Sequence, residues 1–131
     1  MKRFAVIAAL ALTAAACGGG GSSTTLYTKP ATSACLTKAG LKVLPVSNAS
    51  DFVANSATGG ALRVKPHGNE VTVSFGLTFQ DASNIDQAYQ RFHAANVGLP
   101  DVLKTQNNAV MLWHLHPSQA DIDLVTGCLK G

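Results

Sequence analysis

Between Val71 and Phe79 the chain alternates without a break: Val71, Val73, Phe75, Leu77 and Phe79 are apolar, and Thr72, Ser74, Gly76 and Thr78 lie between them. Successive side chains of a strand point to opposite faces, so this period of two predicts a strand with one buried and one wet face. Leu62 and Val64 precede it, and Pro66-His67-Gly68-Asn69 supplies the residues of a tight turn. Together they predict a β-hairpin.

The rest of the chain is read outward from that hairpin. Ile85, Ala88, Tyr89, Phe92 and Ala95 recur at helical spacing, with Asp81 or Ser83 as the expected N-cap and Gly98 and Pro100 as the stop. The order then returns. Val102 to Thr105 and Ala109 to Leu115 flank Asn107-Asn108 as a second hairpin, and Pro117-Ser118 opens a last helix with Ile122, Val125 and Leu129 inward. Upstream, Ser33 is the expected cap of a short helix through Ala39, with Gly40 in the C′ position. Leu41 to Leu44 reads as a first strand ended by Pro45, and Ser50 as the cap of one turn through Asp51-Phe52-Val53. The expected fold class is α+β, an antiparallel sheet of about four to five strands with helices on one face. Aligning Asn69-Glu70-Val71 with Asn108-Ala109-Val110 allows a reading as two ββα units.

The strand from Ala109 to Leu115 departs from the alternation of its neighbour. Val110 and Leu112 occupy one face and Met111, Trp113 and Leu115 the other, so both faces are apolar. Either the strand is covered on both sides with Trp113 in the core, or Trp113 lies on an open face beside Thr72, Ser74 and Thr78. The second reading makes Met111, Trp113, Leu115, Thr72, Ser74 and Thr78 a candidate binding face, an aromatic platform ringed by hydroxyls for a peptide, a glycan or a lipid.

Upstream of all this, Lys2 and Arg3 precede a short apolar stretch from Phe4 to Ala16, and Ala14-Ala15-Ala16-Cys17 places small residues before a cysteine. The stretch is well short of the ~20 apolar residues that a membrane-spanning helix needs. It resembles a bacterial lipoprotein signal peptide with its lipobox. Ala15 and Ala16 fit that pattern; Ala14 stands where a large aliphatic residue is usual. The resemblance implies that residues 1–16 are removed, that diacylglycerol is attached to the Cys17 thiol, and that the mature protein is exported and held on the extracytoplasmic side of the membrane. It covers the first seventeen or so residues and implies nothing about activity. An ordinary secretory signal is the alternative. Residues 17–33, rich in Gly, Ser, Thr and Pro, then read as the lipidated cysteine and its flexible linker, and residues 34–131 as one domain.

The chain has three cysteines. With Cys17 assigned to lipid by that resemblance, Cys35 and Cys128 are left as partners for one disulfide in an oxidising compartment. The alternative for each is a buried free thiol. Removing Lys2 and Arg3 also reduces ten basic residues to eight against seven acidic ones, a net charge of about +1. No basic patch argues for nucleic acid.

Motifs for chemistry are sparse. His114 and His116 are two apart in the expected strand and would share a face, the geometry of a metal-ligand pair, with His67 and His93 the other histidines. No Asp, Glu or Cys at recognisable spacing completes such a site. Asp121 and Asp123 read as first-turn acids that complement a helix dipole. Thr58-Gly59-Gly60 leads into a strand and lacks the helix amides of a phosphate cradle. No nucleophile motif and no cofactor motif is found. The expected role is that of a non-enzymatic binding or structural module of the cell envelope, whose partner is an envelope protein, a peptide or a glycan; the alternatives are a metal-binding envelope protein using His114 and His116, or a small enzyme with no recognisable motif.

Overall fold

A computed structural model describes residues 25–92 and 98–131. The expected signal peptide, Cys17, His93 and the expected end of the long helix at Ala95 lie outside the described residues.

The first helix, α1, spans Lys29–Lys38 and begins five residues earlier than the sequence predicts. Thr28 rather than Ser33 is its cap: the Thr28 hydroxyl accepts the Ala31 N–H, and Pro30 occupies the first turn, where a missing N–H is harmless. At the other end Gly40 takes a φ of +84°, its N–H donates to the Thr37 carbonyl and the Leu41 N–H to the Leu36 carbonyl. This double closure needs a left-handed residue, which glycine supplies. Residues 25–28, expected to be linker, lie against the domain: the Thr28 N–H donates to the Lys130 carbonyl at 2.7 Å.

Strand β1 (Val43–Leu44) leads to a one-turn helix, α2 (Phe52–Asn55), capped by Asp51. Strands β2 (Ala61–Val64) and β3 (Val71–Phe75) form the expected hairpin. His67 and Gly68 both have positive φ, and the Asn69 N–H closes the turn onto the Pro66 carbonyl. Strand β3 ends at Phe75 rather than Phe79, because Gly76 and Leu77 turn the chain into helix α3 (Phe79–Phe92). The cap of α3 is Thr78, not Asp81 or Ser83. Its hydroxyl accepts the Asp81 N–H at 3.0 Å while the Asp81 carboxylate accepts the Thr78 N–H at 3.1 Å, a reciprocal box in which Asp81 plays the part usual for glutamate.

A short helix, α4 (Leu99–Val102), precedes β4 (Leu103–Gln106) and β5 (Ala109–Trp113), and α5 (Gln119–Gly127) is the last described element. The five strands form one antiparallel sheet in the order β1-β2-β3-β5-β4. The fold is α+β.

The helices do not share one face of the sheet, as the sequence suggests, but cover both. On one side Leu62, Val64, Val71, Val73, Phe75, Met111 and Trp113 pack with Leu36 of α1 and Val125 of α5. On the other, Ala61 and Val110 pack with Val53 and Ala54 of α2 and Ala82, Ile85 and Tyr89 of α3. The order strand–strand–helix does occur twice, but α3 and α5 leave their hairpins on opposite faces. A two-fold axis through the centre of the sheet preserves faces, so it does not superpose the two units. Cys35 of α1 and Cys128, the C-cap of α5, stand at disulfide distance, with Cα atoms 5.3 Å apart.

Candidate functional site

The six residues of the expected binding face do not form one. Trp113 and Met111 are each 2% exposed, and Thr72 and Ser74 are buried as well. The correction has a plain cause. The wet row that the alternation implied lies under α3, where the Ser74 hydroxyl faces the Tyr89 phenol. Of the six, only Leu115 and Thr78 reach solvent, at opposite ends of the sheet, and Thr78 is occupied as a helix cap.

The expected metal pair is also displaced. Strand β5 stops at Trp113, so His114 and His116 lie in the exposed segment beyond it and do not share a strand face. Among the described residues, no group of three or more His, Cys, Asp or Glu side chains is arranged to hold a metal ion. His67 is engaged elsewhere. Its Nδ1 lies 2.6 Å from Oδ1 of Asp121, a buried carboxylate in the first turn of α5. That bond, with help from the Ser118 cap, holds the Asp121 carboxyl below the usual range. The expectation for Asp121 was dipole complementation alone. The turn histidine that meets it is 54 residues away in sequence, so no local signal announced the pair.

Among the described residues a cleft of about 190 Å³ lies between α2 and α3, lined by Val53, Ser56, Ala57, Thr58, Asp81, Asn84, Ile85 and Ala88. Its two walls run antiparallel, and their separation is set at both ends. At one end Thr58 Oγ1 donates to Asp81 Oδ2 at 3.0 Å, joining the segment after α2 to the start of α3. The Thr58 hydroxyl, with the N–H groups of Thr78 and Leu77, lowers the pKa of the Asp81 carboxyl. Towards the other end, Asp51 divides its carboxylate: Oδ1 accepts the Ala54 N–H as the cap of α2, and Oδ2 accepts the Tyr89 hydroxyl of α3 at 2.6 Å. Burial, and then the Asp51 bond, raise the Tyr89 pKa far above that of a free phenol, so this hydroxyl keeps its proton.

Beyond the cleft an aromatic pair stands in solvent. Phe52 of α2 and Phe92 of α3 are 51% and 58% exposed, and their rings meet edge to face with centroids 4.8 Å apart. The sequence pattern puts Phe92 on one face of its helix with Ile85, Ala88 and Tyr89 and gives Phe52 no partner, since the meeting of the rings depends on how α2 and α3 pack. The cleft brings a single carboxylate, Asp81, to its surface, and that group is committed to the helix start. The chemistry on offer is apolar contact with a polar rim. Its volume is below the ~300 Å³ at which sites for whole small molecules begin, so it suits an inserted side chain or a ring.

No family model, no curated protein and no solved structure matches this chain. No helix among the described residues is long and apolar enough to cross a membrane.

Proposed function

We propose that this chain is an exported, lipid-anchored protein whose domain works at the membrane surface by binding or structural association rather than by catalysis. The observation that carries the reading is the pairing of Cys35 with Cys128 at disulfide distance. It leaves Cys17 as the odd cysteine of three, at the position where the lipobox resemblance puts the acylated thiol. A disulfide closing most of the domain fits an oxidising compartment. The binding element is the α2–α3 cleft together with the Phe52–Phe92 pair beyond it, and its occupant is an apolar or aromatic group presented by an envelope protein, a peptide or a glycan.

Intact mass spectrometry after expression in a bacterium with lipoprotein-processing enzymes tests the anchor. The expected product begins at Cys17 and carries acyl mass, and Cys17→Ala leaves an unprocessed precursor. An unmodified Cys17, or cleavage elsewhere, would overturn the reading.

A further inference from the structure

Six large apolar side chains are exposed among the described residues, and three of them lie at the end of the domain where the linker leaves it. Leu26 is 41% exposed, Leu77 65% and Phe79 45%. One buried side chain ties together the main chain beside Leu26 and beside Leu77. Asn108, in the β4–β5 turn, accepts the Tyr27 N–H at 2.6 Å through Oδ1 and donates through Nδ2 to the Tyr27 carbonyl at 2.9 Å and the Gly76 carbonyl at 2.7 Å. Leu26 and Leu77 each follow or precede a residue held by that amide. Asn107 fixes the other side of Leu26 by donating to the Thr25 carbonyl. The Leu77 N–H is in turn held by Thr58 and Asp81, and Phe79 sits in the capped first turn of α3. These three side chains therefore project from fixed backbone.

The remaining exposed apolar residues lie elsewhere. Helix α3 has 14 residues and is about 20 Å long, which puts Phe92 and its partner Phe52 at the far end of the helix from Phe79. Leu115 is at the far end too, its main chain bracketed by Asn69 of the β2–β3 turn. Two exposed lysines accompany the near end: Lys130, whose carbonyl meets Thr28, and Lys29, whose side chain lies against Gly60.

From this we infer that the end of the domain bearing Leu26, Leu77 and Phe79 is a membrane-contact surface that seats in the interface of a lipid bilayer. The inference rests on the proposed anchoring at Cys17, and the length of chain between the two selects the occupant. Cys17 and Thr25 are eight residues apart, a span of at most about 28 Å when fully extended. The lipid thus holds the root of the linker, at this end of the sheet, within about 28 Å of the headgroups. Exposed leucine and phenylalanine on fixed backbone, with lysines beside them, match the apolar boundary and the anionic headgroups of that layer. Seated this way, α3 carries the Phe52–Phe92 pair away from the membrane.

The test separates the face from the anchor. The chain from Gly18 onward, which keeps every described residue, is made with a hexahistidine in place of the lipid and held on phosphatidylcholine–phosphatidylglycerol vesicles containing a nickel-chelating lipid. Leu77→Trp and, as the opposite-end control, Leu115→Trp serve as fluorescent reporters over the constant signal of buried Trp113. Leu77→Trp is expected to shift to the blue on vesicles and to lose most of its added emission to lipid-borne nitroxide, while Leu115→Trp keeps both its wavelength and its intensity. Equal quenching at the two ends, or none at position 77, would overturn the inference whatever the state of Cys17. A blue shift at position 77 that rises with protein concentration without vesicles would overturn it in favour of a second copy of this chain. Failure of acylation at Cys17, read separately by mass, would remove the anchor alone.

Discussion

Asp51, Asn69 and Asn108 show how much of this fold rests on single short polar side chains. Each bonds main chain from a segment it does not adjoin, or a side chain from another helix, and two of the three are buried. Asn69 brackets the Leu115 main chain as Asn108 brackets that of Tyr27, so the alignment of these two asparagines reflects a shared task even though their units do not superpose. Trp113 is the opposite case, since its buried Nε1 has no acceptor among the described residues. Leaving a buried donor unsatisfied costs about 1–3 kcal/mol, which a phenylalanine would relieve. Urea unfolding is therefore expected to show Trp113→Ala losing about 3–5 kcal/mol and Trp113→Phe losing clearly less; equal losses would place an acceptor at the indole. Asp81 and Asp121 set the acid limit. Both carboxyls titrate below their ordinary value of 3.8 in the folded state, so the stability they contribute is fully present above that value and is lost as pH falls through it towards the folded values. The urea midpoint should drop between pH 6 and pH 3, and Asp121→Asn should flatten that drop while lowering the midpoint at pH 6.

Among the elements, the strand-to-helix corner at Gly76 is tightly specified. A Cβ there would stand 2.6 Å from the Asp81 Cβ and 2.6 Å from the Thr78 carbonyl oxygen, both within the capping box of α3. Gly76→Ala is expected to cost at least about 1–3 kcal/mol, the range for overpacking a filled site. Gly68, at the tip of the first hairpin, has a φ of +85° and open space around its Cα. Its alanine variant should cost only the ~1–2 kcal/mol of left-handed strain. Thermal denaturation of the pair separates a steric corner from a conformational one, and the ranking reverses if the corner simply opens.

Across the whole molecule, the cysteine pair joins the first helix to the end of the last, 93 residues apart. In the chain-entropy account, closing so long a loop stabilises by about 4–5 kcal/mol, acting on the unfolded chain. Cys35→Ser with Cys128→Ser should lower stability by roughly that amount. Unchanged stability of the double variant would mean that the pair is not bridged in the folded protein. The two layers of helix about the sheet would remain as the fold, since the packing on either face does not run through sulfur alone.

The hairpin at Pro66–Asn69, the second hairpin at Asn107–Asn108, the amphipathic α3 and the C′ glycine at Gly40 are legible in the amino-acid sequence alone, because periodicity and turn chemistry are properties of neighbours in the chain. The covering of both faces is not. Thr72 and Ser74 carry the composition of a wet strand face, yet small residues such as Ser74, Ala61 and Ala82 let α3 approach the sheet and bury it. Whether Trp113 meets water depends on α1 and α5 arriving over it from the two ends of the domain. The cleft, the Phe52–Phe92 pair and the His67–Asp121 bond likewise join residues 23 to 54 positions apart or elements whose angle no local pattern encodes. A repeat of two or of 3.6 residues names the face of an element; the partner against that face is chosen by long-range packing.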